Sequence, residues 1–230
     1  MSGDEIQILL LSLKVALAGV ACSLPLAVFV AYVLARSEFP GKTLLDSLVH
    51  LPLVLPPVVI GFALLLLFGR RGAFGPWLEQ WFGIVFAFRW TGAALASAIM
   101  GFPLMVRAIR LSIAAIDRRF ETVARTLGAP ASWVFVSITI PLALPGIITG
   151  VLLSFARSLG EFGATITFVS NIPGETETLP LAIYTLVQSP GGDAQALRLS
   201  AIAVAVSIGA LMASEWLVRR ANRQGSDDRR

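Results

Sequence analysis

Long apolar runs separated by short polar ones dominate this chain. A membrane-spanning helix needs about 20 mostly apolar residues, and five stretches qualify: 8–34, 46–68, 90–110, 137–157 and 199–218. The pattern predicts an all-α polytopic membrane protein, a single transmembrane domain over 1–230 with about five transmembrane helices. The first run is long enough to tilt, and Lys14 near its start can reach the interface with its ammonium. Pro25, Pro56, Pro57, Pro103, Pro141 and Pro145 fall in or at the ends of these runs, so kinks and close packing are expected. Gly146-x-x-x-Gly150 and the small residues Ala93, Ser97 and Gly101 permit close helix approach, although such spacings are common in apolar sequence and single out no contact. Residues 162–169 are apolar but short, either a continuation of the fourth span or a re-entrant piece.

The polar segment 111–132 has a different period. Phe120, Val123, Ala124 and Leu127 fall at i, i+3, i+4 and i+7, which makes one apolar helical stripe. Arg118, Glu121 and Arg125 occupy the other side. Gly128 can end the helix in a left-handed conformation, and Pro130 prevents its resumption. The result is a short surface helix. It either rests on lipid headgroups or sits in a groove of another protein, and the residues alone leave both open.

Composition agrees with the apolar pattern. Only 14% of residues are charged and mean hydropathy is +0.80, against about 25% charged in a soluble domain. The net charge of +4 does not point to nucleic acid, because the basic residues sit in loops rather than on one soluble face. Segments 36–44, 107–132 and 219–230 hold two, five and five Lys or Arg, whereas 1–7, 69–89 and 157–198 hold none, three and two. The positive-inside tendency then puts the N-terminus outside, and the 111–132 loop and the C-terminus in the cytoplasm. Asp4 and Glu5 without an early Lys or Arg are wrong for a cleavable signal peptide, so the first apolar run is expected to stay in the mature protein.

Several chemistries are absent. One histidine (His50) and one cysteine (Cys22) cannot form a His/Cys metal cluster. His50, at the start of the second run, reads as an interfacial histidine with a local partner, and Cys22 as a small apolar side chain. Gly41-Lys42-Thr43 mimics the end of a phosphate-binding loop, but Arg36 stands where its first glycine is needed. If ATP drives this protein, the nucleotide binds to a partner. Arg157 and Glu161 stand four apart near the end of the fourth run and can neutralise each other. Ionisable groups at membrane depth are also candidates for function. Arg157 with Ser154, Ser158, Thr165 and Thr167 can offer donors to an anion, with Gly160 and Gly163 flanking Glu161 at a bend.

The 117–141 stretch, DRRFETVARTLGAPASWVFVSITIP, resembles the cytoplasmic coupling loop of ABC-importer permeases, whose pattern is roughly E-A-A, three residues, Gly, nine residues, I-x-L-P. Gly128, Ile138, Ile140 and Pro141 fit at the expected spacing. The triplet falls on Thr122-Val123-Ala124 with Glu121 one place early, so substituting Glu121 is expected to matter less than substituting Gly128. Segments 40–61, 102–110, 155–176 and 184–192 are similar to the permease subunits of molybdate transporters, with sulfate permeases the nearest relatives to confuse them with. The resemblance implies a homodimeric permease in a bacterial cytoplasmic membrane, with no cofactor of its own. It also implies two ATPase subunits on Phe120, Glu121, Thr122, Val123, Ala124, Arg125, Leu127 and Gly128, and an extracytoplasmic molybdate-binding protein on the other face. Sulfate, thiosulfate or tungstate import is the alternative cargo. An integral-membrane enzyme is the alternative of another class, and it needs a cluster of His, Asp or Glu at one depth.

Overall fold

The computed structural model describes residues 3–227, with side chains described through 210 and at Met212. Four helices are long and apolar enough to cross a membrane, and a fifth crossing is made if one bent pair counts as a span. Helix α1 (Gly3–Arg36) is about 51 Å long at 1.5 Å per residue, well beyond a bilayer core of about 30 Å.

The second apolar run is not the continuous span 46–68 expected from hydropathy. It forms α2 (Lys42–Val54) and α3 (Pro57–Phe68), whose axes differ by 112°. Each half is only about 18–20 Å long. Leu55 and Pro56 both precede a proline, which pushes a residue out of the helical region. Their ψ angles are 144° and 133°. Pro57 then starts α3, where its missing N–H costs nothing. The two halves still join opposite ends of the bundle. Asp46 of α2 pairs with Arg110 near the C-terminal end of α5 (Trp90–Ala115), while Leu64 of α3 packs with Ala93 near the start of α5. The bent pair is a broken span or a re-entrant loop, and it brings the crossings to five only when counted as one span.

Between α3 and α5, an eight-residue helix α4 (Gly75–Phe82) lies at one end of the bundle. The opposite end carries α6 (Arg118–Thr126). Helix α5 runs five residues past the expected 110 before reaching it, because Ile113 is buried against the core. Beyond α6, α7 (Ala131–Val134), a π-helical turn at Phe135–Thr139 and α8 (Ile140–Leu159) form one continuous helix. This crossing therefore begins at 131 rather than 137. The wide turn lies where Pro141 has no N–H to offer the carbonyl four residues back, and the Ile140 N–H bonds Phe135 O instead.

After a break at Gly160, α9 (Gly163–Val169) is about 10 Å long and cannot cross alone. Gly163 abuts Pro57, and a β-carbon on Gly61 of α3 would lie 2.5 Å from the Ala164 carbonyl oxygen. Val169 reaches Gly92, so α9 continues the fourth crossing toward the α4 end. A further short helix not expected from hydropathy, α10 (Leu179–Val187), packs on α1 and on α11 (Asp193–Asp227), which contains the last apolar run. The arginine-rich 219–230 segment lies outside the described side chains.

Small residues set the central contacts. Ala16, Ala27 and Ala31 of α1 are fully buried, as are Ala93, Ala96 and Ser97 of α5. Gly146 and Gly150 of α8 meet Ser112 and Met105 of α5, so the small-residue spacings seen in the sequence are packing contacts between these helices. At the α6 end, Lys42 Nζ lies 2.7 Å from Glu38 Oε1. That bond holds the exposed carboxyl below its ordinary range.

Candidate coupling and translocation sites

The helix at one end of the bundle is built by its own sequence. The Asp117 side chain accepts from the Arg119 N–H at 2.9 Å and caps the first turn. At the other end Gly128 has φ +90°. The Ala129 N–H bonds Ala124 O at 3.1 Å and the Gly128 N–H bonds Arg125 O at 3.0 Å, the paired bonds of a Schellman motif. Glycine is needed there for its φ alone, because a β-carbon would meet nothing within 4 Å.

The apolar stripe of α6 is turned outward. Phe120, Val123 and Leu127 are 56%, 57% and 83% exposed. With Ala124, Pro130 and Trp133 they line an open groove of about 550 Å³. Thr122 and Arg125 are exposed beside them.

Glu121 points the other way, into the bundle. Its Oε1 lies 2.9 Å from Arg36 Nη2 and accepts from Thr139 Oγ1 at 3.1 Å. Arg36 also donates to Ile116 O at 3.2 Å. One carboxylate oxygen thus ties α6 to the last residue of α1 and to the π turn before α8. Sequence spacing placed Glu121 with Arg118 and Arg125 on a polar face; in the fold it separates from them. In the sequence Arg36 counted toward topology and against a phosphate-binding loop, and neither it nor Thr139 signalled this contact, since 85 and 18 positions separate them from Glu121.

His50 finds its local partner: Nδ1 is 2.8 Å from Asp46 O and 3.3 Å from Asp46 Oδ1, and the same carboxylate takes Arg110 at 2.7 Å. Arg157 and Glu161 are brought together, with Nη1 to Oε2 at 2.6 Å, the arginine partly exposed and the carboxylate buried. The other oxygen of Glu161 accepts from the Ala164 N–H at 2.9 Å, so Glu161 also caps α9. The hydroxyls do not gather around the arginine. Ser154 is buried beside Gly101, Ser158 donates to Ser97 O at 3.4 Å, Thr165 is buried, and Thr167 bonds Gly163 O at 2.8 Å.

Residues 23–223 match the family model described as the inner membrane component of binding-protein-dependent transport systems. The chain belongs to that family. This permease is 60% identical over 219 residues to the molybdenum transport system permease protein ModB of Escherichia coli strain K12, covering 95% of this chain and 96% of that one. It is 57% identical to its Haemophilus influenzae namesake over 94% of each chain. The sulfate transport system permease protein CysT of E. coli is 40% identical over 69% of this chain and 57% of its own. Among solved structures, a bacterial ABC transporter that imports the acidic polysaccharide alginate superposes with TM-score 0.74 at 16% identity, covering 96% of this chain and 80% of that one. The methionine transporter MetNI gives 0.69 at 13% identity, covering 96% and 99%. These two likenesses are of fold. They cover nearly all of this chain.

Proposed function

We propose that this permease is the membrane-spanning subunit of an ATP-driven importer that carries molybdate across the bacterial inner membrane. The observation that carries this reading is 60% identity over nearly the full length of a molybdenum transport permease. The lower and shorter likeness to a sulfate permease favours sulfate as the second cargo, ahead of tungstate. Two copies of the chain enclose the path, and two ATPase subunits bind the nucleotide, so the chain needs no cofactor. The N-terminus is outside, and the C-terminus and α6 face the cytoplasm. A loaded binding protein meets the α4 end.

In this proposal Phe120, Val123, Ala124 and Leu127 seat in the ATPase, Gly128 shapes the helix end, and Glu121 transmits its movement to α1 and α8. Thr122 and Arg125 flank the contact. ATP and the loaded binding protein favour different states through different contacts, which is the requirement for coupling. Arg157, partly exposed and paired with Glu161, is the candidate for lowering the barrier to a dianion. Ser154, Ser158, Thr165 and Thr167 are the remaining candidates along the path, turned to other partners or buried in the helix contacts. The test is uptake of labelled molybdate against labelled sulfate in cells lacking this chain, restored by the chain on a plasmid. Restored molybdate uptake is expected. Restoration of sulfate uptake alone would overturn the cargo assignment.

A further inference from the structure

The α4 end carries a surface that transport by itself does not explain. Phe74, Trp77, Leu78, Trp81 and Phe82 recur at i, i+3, i+4, i+7 and i+8, one apolar stripe along α4. Four of them stand in the open, at 51%, 53%, 71% and 61% exposure for Phe74, Trp77, Trp81 and Phe82. At about 100–150 Å² each they form a patch of roughly 500 Å², as large as the biggest on ordinary soluble monomers. Glu79 and Gln80 lie on the other side of the helix. Just before α4, Arg70 and Arg71 are exposed, and no carboxylate pairs with either among the described residues.

The height of α4 is set by the crossings on either side. The Ala73 and Phe74 N–H groups bond Leu66 O at 3.0 Å and Leu67 O at 2.7 Å, within the last turn of α3. At the far side, Thr91 Oγ1 donates to Val85 O at 3.0 Å, which ties the returning chain to the first turn of α5. Phe68 packs on Phe74 and Phe86 with ring centroids 6.0 and 5.8 Å apart. Both ends of the segment are therefore fixed where crossing helices stop, and α4 lies across the rim instead of projecting from it. At that depth acyl chains meet headgroups, where tryptophan and arginine concentrate.

We propose that α4 is an interfacial helix seated in the lipid headgroup layer, with Trp77 and Trp81 in the acyl boundary and Arg70 and Arg71 against lipid phosphate. The inference rests on the geometry of this end of the bundle and not on which anion is carried. It gives the bent α2–α3 pair a footing in the bilayer, since α3 alone is too short to span it.

The test uses the full permease with its co-purifying subunits, reconstituted in vesicles of phosphatidylcholine and phosphatidylglycerol. The fluorescence difference between the parent and the Trp77→Phe/Trp81→Phe variant isolates the two indoles. Phosphatidylcholine bearing a nitroxide high on its acyl chain is expected to quench most of that difference, and aqueous iodide little of it. Quenching by iodide without quenching by lipid would place the stripe in water. Protection from both would mean that a protein surface, a second copy included, covers it. Loss of lipid quenching on adding the binding protein would assign the stripe to that partner. Each of these three results overturns the proposal. A second arm compares nitroxide-labelled phosphatidylglycerol with the phosphatidylcholine probe: Arg70→Gln and Arg71→Gln should each lower the preference for the anionic lipid about five-fold. Equal quenching by both lipids in the parent would refute the arginine contacts.

Discussion

Removing the Glu121 carboxylate is the sharpest test of how α6 is attached. Arg36 and Glu121 side chains are only 8% and 17% exposed, and one oxygen serves both Arg36 and Thr139. In Glu121→Ala the guanidinium keeps a single neutral acceptor, Ile116 O at 3.2 Å, and Thr139 loses its partner. Charge-assisted hydrogen bonds contribute about 1.5–3 kcal/mol each, and breaking a largely buried pair from one side costs about 3 kcal/mol or more. A loss of about 3 kcal/mol shifts the balance between tethered and detached α6 by about 100-fold. Hydrogen–deuterium exchange over 118–128 should accelerate by up to that factor, capped at the unprotected rate. In proteoliposomes with the ATPase subunits, more ATP should be hydrolysed per molybdate imported. Arg36→Ala removes the same ion pair and should also loosen α6, and the double variant should be no worse than Glu121→Ala, which already deletes both the Arg36 and the Thr139 bonds. Thr139→Val should cost about 1 kcal/mol. Unchanged exchange and coupling in Glu121→Ala would refute the tether, as would fully additive effects of the two singles.

Gly128→Leu must hold a bulky residue at φ +90° with no steric neighbour, so its cost is about 1–2 kcal/mol and its coupling defect should be smaller than that of Glu121→Ala, with Gly128→Asn milder still; the reverse order would restore the ranking expected from spacing alone. Arg157→Gln leaves the buried Glu161 charge unpaired and should lower expression through a cost of about 3–5 kcal/mol, which Arg157→Gln/Glu161→Gln relieves. If the double variant expresses well yet imports molybdate slowly, Arg157 acts on the anion, and full uptake reduces the pair to a structural bridge. A single cysteine at exposed Ser132, with Cys22 replaced, should react with impermeant reagents only from the cytoplasmic side, and labelling from outside would invert the proposed orientation.

Sequence by itself determined the class of molecule and the anatomy of one helix. A run of about 20 apolar residues has few stable solutions other than a membrane helix, so an all-helical protein with four to five candidate crossings was legible from hydropathy. The stripe Phe120, Val123, Leu127 and the left-handed stop at Gly128 were legible because both are local: helical period and φ depend on neighbours in the chain. Pro56-Pro57 announced a kink, but the 112° turn emerged only with the fold, because two extended residues can hold any axis angle that packing on α5 and α9 will accept. The contacts of Glu121 were hidden for the same reason. Arg36 lies 85 positions away, and the two meet only once α1 and α5 have packed through their alanines and brought their ends level. The reach of Ser154 and Ser158 was likewise decided in three dimensions: helix rotation turned their hydroxyls into the contact with α5, and a span's composition does not specify its rotation. The α4 stripe was readable in principle, since it repeats at helical spacing. Its eight residues are too few to register among long apolar runs, and only the bonds to the ends of α3 and α5 fix its height.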